Sequence, residues 1–470
     1  MSATATTEKK YLKWYQKLAY GSGDLASNCS YGLVSSFVLL YLTGTLGLDS
    51  AIIGSLMLAS KVLDGISDVI FGTLIDRTHS KLGKARPWML FGQVGVSLCL
   101  FLLFAIPAGS TTMQYIYFFI VYTALNAVFY TANGIAYSSL VALITKNNNE
   151  RVQLGSFRFM FAVVTNIFMG FAVTGMVEKF GSGAAGWRTT ALIFAIVGLV
   201  VNTISCLAVK ELPEEELGDN TSEAAEEGKA VAEEKKHGFA ETAKVLVHNK
   251  YYLMILAIYI VYYIMSNLTT GAGVFCATYY WGDGSLLGQF SMMKMFPVII
   301  ALAIAPVLIK KTGSMQKVNF WGYAISSVLG IPMIYFAMQK NLSMFLLFMF
   351  IKGIFAGTLS GSLNALIAEA SGYTTRTTGI HMDGMMYSCS SLGVKVGGGI
   401  GTAAVGWLLK LGGFVGTAMV QSESAIRMIF NLYITFPFVI GIIITVLLAF
   451  LDVEKANKKW DAEHQKEAQA

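Results

Sequence analysis

Short polar stretches separate long apolar runs along the chain, near 20–43, 51–75, 88–107, 114–144, 156–177 and 189–209, and again near 251–280, 287–309, 318–338, 342–369, 380–409 and 427–451. Each run can cross a hydrocarbon core as a helix, which takes about 20 residues, and several are long enough to tilt. A transmembrane barrel would show segments of about ten residues alternating apolar and polar. The pattern therefore predicts an all-α polytopic membrane protein with twelve transmembrane helices.

Between the sixth and seventh runs lies ELPEEELGDNTSEAAEEGKAVAEEKKHGFAETAK, rich in Glu, Lys and Ala. Its composition is that of a hydrophilic linker. It divides the chain into an N-terminal six-helix bundle over 1–209, a cytoplasmic linker over 210–249, a C-terminal six-helix bundle over 250–452 and a cytoplasmic tail over 453–470. Six plus six suggests two bundles with a solute site at the midplane, moving by alternating access. The halves show no convincing sequence repetition.

Composition agrees with this picture: 55% hydrophobic and 13% charged residues are far from a soluble globule, in which about a quarter of residues are charged. The net charge of +6 follows topology. Basic residues collect on one side, at Lys9, Lys10, Lys13 and Lys17, then Arg77, Lys81, Lys84 and Arg86, then Lys146 and Arg151, then Lys310, Lys311 and Lys317, and finally Lys455, Lys458 and Lys459. Cytoplasmic loops hold such an excess, so both termini are expected in the cytoplasm and the protein in a cell membrane, the bacterial cytoplasmic membrane. The basic residues are scattered without interleaved aromatics, so nucleic acid is not an expected partner. No cleavable signal peptide is visible at the polar start. Five cysteines fall inside spans without CxxC spacing and read as packing residues. Trp14, Trp88, Trp187, Trp281 and Trp460 fall at or beyond span ends, as interfacial belts would have them.

The second run, AIIGSLMLASKVLDGISDVIFGTLI, carries Asp64 and Asp68 one helical turn apart, with Lys61 on the same side. An acid near a membrane helix centre costs roughly 2.5–3.5 kcal/mol, so two of them imply a bundle interior or a water-filled path. Repulsion between them is relieved by a cation. A proton or a small monovalent cation is the natural ligand.

In the fourth run Asn126, Tyr130, Asn133 and Tyr137 follow i, i+4, i+7, i+11 and are expected on one helical face. Asp24, Asn28, Tyr31 and Ser35 keep a similar rhythm in the first. Single polar residues serve as interhelical glue, whereas ordered stripes suggest the lining of a polar cavity. Arg158 taken alone reads as an anchor that snorkels to the headgroups. Lys395 lies mid-span and needs a counter-charge; Asp383, Tyr387 and Ser391 precede it at four-residue steps, a gentle spiral at 3.6 residues per turn. Aromatics beside polar donors suit a carbohydrate. Small residues in VKVGGGIG and IFAGTLSGS predict close helix packing. GxxxxGK[ST], HExxH and GxSxG are all missing, so ATP-driven pumping and the common hydrolase chemistries have no sequence support.

YGSGDLASN, DGISDVIFGTLIDRTHSKLGKARPW, NNNERVQLGSFRF and TGIHMDGMMYSCSSLGVK together resemble the glycoside-pentoside-hexuronide:cation symporters, the melibiose-permease family, in order and spacing over nearly the whole chain. The resemblance implies a major-facilitator fold that binds sugar between its bundles and is driven by Na+, Li+ or H+. It implies cation binding by Asp64, Asp68 and Thr131, with Ser67 where melibiose permease has Asn. It implies solute binding by Arg158, Tyr130 and Ser391, and a role for Lys395 in linking the halves. Lys61 is placed with Lys395 in coupling, and Lys395 also with the solute residues. The family's two sugar-gripping carboxylates fall at Asn28 and near Gly134, beside Asn133, and its stacking tryptophan at Ser138. Melibiose is therefore not the expected solute; Asn28 and Asn133 can still hold sugar hydroxyls, and the loss of two anions would ease binding of an acidic sugar. The expected function is symport of a glycoside, pentoside or hexuronide with Na+ or H+, with no cofactor, no enzymatic activity, and sugar and membrane lipid as partners without an obligatory protein. The alternative is an uncoupled sugar facilitator or a membrane sugar sensor.

Overall fold

A computed structural model of the protein describes residues 9–213, 245–379, 383–418 and 420–467. The described residues form helices: α1 (Trp14–Thr45), α2 (Ser50–Asp76), α3 (Arg86–Leu103), α4 (Thr111–Ile144), α5 (Asn148–Lys179), α6 (Gly183–Leu207), α7 (Lys250–Trp281), α8 (Leu286–Thr312), α9 (Met315–Met338), α10 (Leu342–Thr378) and α11 (Asp383–Leu411). Helix α12 runs from Glu423–Phe430 through the π-helical Asn431–Thr435 into Phe436–Phe450, and α13 is Val453–Glu467.

Among the described residues, eleven helices are long and apolar enough to cross a membrane. Helix α2 is not one of them. It has 27 residues, but Lys61, Asp64, Asp68 and Asp76 interrupt its apolar character.

The loops end where side chains can cap the next helix. Asp49 accepts from the Ala51 and Ile52 amides at the start of α2, Asn147 from Glu150 at α5, Asn249 from Tyr251 and Tyr252 at α7, and Asn341 from Met344 at α10. Each such cap satisfies amides that the helix cannot. At α3 the capping group comes from afar, because Glu211 accepts from the amides of Lys84, Ala85 and Arg86 at 2.7, 3.0 and 3.0 Å. Glu211 opens the stretch expected as a linker, of which residues 214–244 lie outside the described part.

The chain forms two compact units. The first contains α1–α6 together with Ala277–Gln289 and Gly406–Ala425; the second contains the rest of α7–α12 and α13. In the first unit Tyr20, Met89, Tyr137 and Cys206 share a buried core. Trp187, an expected belt residue, is buried there against Phe37, Tyr41 and Phe104, so aromatic packing and not the interface holds it. In the second unit Tyr251, Ile258, Tyr259, Tyr323 and Leu359 are core residues. Gly393, Gly397 and Gly401 let α11 approach the backbone of α7; a Cβ at Gly401 would lie 2.6 Å from the Ile264 carbonyl oxygen. All five cysteines are free and buried.

The tail expected after 452 is helical, and it grips the second unit. Glu454 accepts from the Ser314 hydroxyl and, at 2.9 Å, from the Gln316 amide at the start of α9. Asn457 donates to Glu369, and Arg376 pairs with Asp461.

Candidate cation and solute site

Asp64 is 9% exposed and Asp68 half-buried. The Thr131 hydroxyl donates to Asp64 Oδ1 at 2.7 Å, and Lys61 Nζ stands 3.4 Å from Oδ2. The second distance exceeds that of a tight N–H···O bond, so the ion pair is loose. Ser67 turns its hydroxyl back to the Asp64 carbonyl.

Thr131 directly follows a π-helical segment of α4, Ala124–Tyr130. Hydrogen bonds in such a segment span i to i+5, and the Thr131 hydroxyl also lies 2.9 Å from the Asn126 carbonyl oxygen. A hydroxyl has one proton and two lone pairs. It can give that proton to the carboxylate or to the carbonyl.

A second polar group joins α1 to α5. Arg158 Nε donates to Asp24 Oδ2 at 2.7 Å, and its guanidinium lies 4.2 Å from the centroid of the Tyr137 ring. Tyr137 packs on Tyr20, each hydroxyl donating to the other's carbonyl. Asn28 accepts from Asn166 Nδ2 at 2.9 Å and donates to the Asp24 carbonyl at 2.7 Å. One turn beyond Asn28, the ring of Tyr31 stacks on Tyr130 with centroids 5.6 Å apart, and Tyr130 neighbours Thr131 in the chain. The two groups thus form a continuous polar and aromatic tract from Asp24 to Asp64 inside the first unit.

The expectation of one polar face on α4 fails at Asn133. Its Nδ2 donates to the Met89 carbonyl at 2.7 Å and reaches Asn202, with the residue 3% exposed. The π-helical segment advances by a smaller angle per residue than an α-helix, so the phase assumed from Asn126 onward is lost. Tyr130 keeps to the tract while Asn133 turns toward α3 and α6. Ser391 and Lys395 lie on α11 in the second unit, exposed and half-buried respectively.

Asp24 and Tyr31 belong to the expected polar stripe of the first run, but their pairing with Arg158 and Tyr130 was not expected, and Asn166 was not assigned at all. An acid inside an apolar run was a usable signal for Asp24; nothing marked Asn166.

Long apolar helices with a carboxylate, an arginine and tyrosines sunk among them make a polytopic membrane fold with a polar interior. A bacterial homologue of the human lysosomal transporter Spinster, in an inward-facing and unoccupied conformation, matches this fold with a TM-score of 0.69 at 13% identity, covering 95% of this chain and 98% of that one. The chain belongs to the family of MFS/sugar transport proteins, matched over residues 19–455. It is 26% identical over 466 residues to the isoprimeverose transporter of Lactiplantibacillus pentosus, covering 98% of this chain and 93% of that protein. It is 24% identical over 426 residues to the inner membrane symporter YicJ of Escherichia coli (strain K12), covering 90% and 88%. The resemblance to the glycoside-pentoside-hexuronide:cation symporters holds at the level of family, and the protein is a multi-pass cell-membrane transporter.

Proposed function

We propose that the protein is a sugar–cation symporter working by alternating access, with α2 as a twelfth crossing helix and both termini in the cytoplasm. The observation that carries this reading is Asp64, sunk in α2 and held by Thr131 and Lys61, at one end of a tract whose other end is the Asp24–Arg158 pair. The two relatives, a transporter of isoprimeverose and a symporter, favour a sugar and a coupled mode.

In this reading Na+ or H+ takes the place of Lys61 at Asp64. Thr131 then turns its proton to the Asn126 carbonyl and offers a lone pair to the incoming ion, while Asp68 supplies the second charge. Arg158, Asn28 and Tyr130 meet the sugar in the first unit; Ser391 and Lys395, on α11, are assigned to it by the resemblance alone. Lys61, released from Asp64, and Lys395 carry the coupling. Whatever factor the cation adds to sugar affinity, sugar adds to cation affinity, because coupling is reciprocal.

The test is uphill uptake in right-side-out vesicles by Asp64→Cys and Asp68→Cys, with folding checked by monodispersity after extraction. Both variants should fold and lose accumulation. Cation-driven accumulation by both would refute the assignment. A wild-type protein that only equilibrates sugar whatever gradient is imposed would be a facilitator.

A further inference from the structure

The second unit contains a cavity of about 180 Å³ walled by α7, α8, α9, α10 and α12. Two lysines line it, Lys294 from α8 and Lys352 from α10. Among the described residues no carboxylate lines it, and between Asp283 and Glu369 the sequence has no acid at all. Lys294 Nζ is met by hydroxyls, Thr269 at 3.3 Å and Thr270 at 3.2 Å. Lys352 has no hydrogen bond or ion pair among the described residues. Tyr323 from α9 lines the same cavity; it is 2% exposed, and its hydroxyl is buried without a hydrogen-bond partner among the described residues.

Buried charge is tolerated when it is paired, and buried polar groups when they are hydrogen-bonded. Here two ammonium groups share one cavity with a hydroxyl lacking a partner. A ligand that accepts hydrogen bonds and carries negative charge would satisfy all three. The space admits one six-membered ring, since a dry protein cavity of about 150 Å³ holds a benzene ring. Serine hydroxyls at Ser326 and Ser360 and the apolar faces of Met293 and Phe345 offer a hydroxyl-rich ring both hydrogen bonds and packing.

We propose that this cavity is an anion site, and that it takes the carboxylate of a single-ring sugar acid between Lys294, Lys352 and Tyr323. The cavity shares no lining residue with the solute residues proposed above, so the acid is a ligand of a second site; that its ring is a sugar rests on the symport reading above.

D-glucuronate and D-glucose differ by a carboxylate in place of a hydroxymethyl group, so they isolate the charge. Equilibrium binding to the purified full-length protein, without any ion gradient, should show glucuronate binding at least about tenfold tighter than glucose, the least that a hydrogen bond to a charged group contributes. Lys294→Gln and Lys352→Gln should each remove that preference, and Lys352→Arg should keep it. Should the lysine variants not fold, Tyr323→Phe removes only the hydroxyl and should weaken glucuronate roughly tenfold while leaving glucose unchanged. Equal affinity for the two sugars, or glucuronate binding untouched by all three substitutions, would overturn the proposal. Displacement of glucuronate by chloride or inorganic phosphate at equal concentration would overturn the sugar acid and leave an inorganic anion site. Since no gradient is used, loss of this preference leaves the Asp64 uptake test unaffected, so the two readings fail separately.

Discussion

Replacing Lys61 by methionine tests whether this lysine competes with the coupling cation. Nζ stands 3.4 Å from Asp64 Oδ2, with the two side chains 19% and 12% exposed. Two unit charges at that separation attract by about 5 kcal/mol at an effective dielectric constant near 20, and by about 1 kcal/mol in bulk water. The low exposure favours the larger figure, but a displaced Lys61 recovers part of it by regaining hydration. The net effect should fall in the usual range of coupling energies, about 1–3 kcal/mol or five- to 150-fold. Methionine keeps most of the stem and removes the charge. In sugar counterflow by reconstituted protein, the half-saturating Na+ concentration of Lys61→Met should drop at least about fivefold. If H+ is the coupling ion, loss of a neighbouring positive charge strengthens proton binding, and coupling should persist to higher pH. An unchanged or weakened response to both ions would refute competition at Asp64.

Arg158→Lys should raise the KM for sugar at least about tenfold with expression unchanged, because an ammonium cannot reproduce both the Nε contact to Asp24 and the planar stacking on Tyr137; a wild-type KM would count against Arg158 in solute binding. Asp49 gives a pH prediction. Burial alone would raise its carboxyl, but Lys410 at 2.6 Å and the amides of Ala51 and Ile52 hold it below the usual range. A depressed folded value stabilises above the unfolded value, near pH 4, and that stabilisation is lost as pH falls through the folded value. Asp49→Asn should therefore flatten the decline of melting temperature between about pH 5 and pH 3, and an unaltered decline would show that Asp49 has no part in it. Gly401→Val should lower stability by about 1–3 kcal/mol through overpacking against Ile264, read as a reduced melting temperature, and wild-type stability would mean that α11 has room there.

The spans were legible because continuous apolar runs have one membrane-compatible outcome, a helix with its hydrogen bonds closed internally. The acid pair was legible for the complementary reason, since charge inside such a run needs a purpose. The same rule applies to Asp24, Lys294 and Lys352, yet sequence spacing could not say what each one faces. Arg158 meets Asp24 across 134 positions, and Lys294 shares a cavity with Lys352 only once α8 and α10 pack. Asn133 was misplaced because α-helical periodicity was carried through Ala124–Tyr130, whose wider turns have no residue signature in the run. Trp187 shows the limit of belt arguments, since an indole at a span end packs as readily on three aromatic rings as on headgroups.

The two halves differ in when their helix starts can be completed during synthesis. Glu211 follows directly after α6, so α3 acquires its capping carboxylate as soon as the sixth helix has left the ribosome. Helix α9 has to wait for Glu454, 138 residues downstream of Gln316. Until α13 emerges, the amide of Gln316 stays open to water, and a nascent chain stopped at residue 452 would carry that defect permanently. A reporter fused after α13 leaves this cap in place, whereas a chain ending directly after α12 would keep only the local cap of α9, the Ser314 hydroxyl on the Lys317 amide.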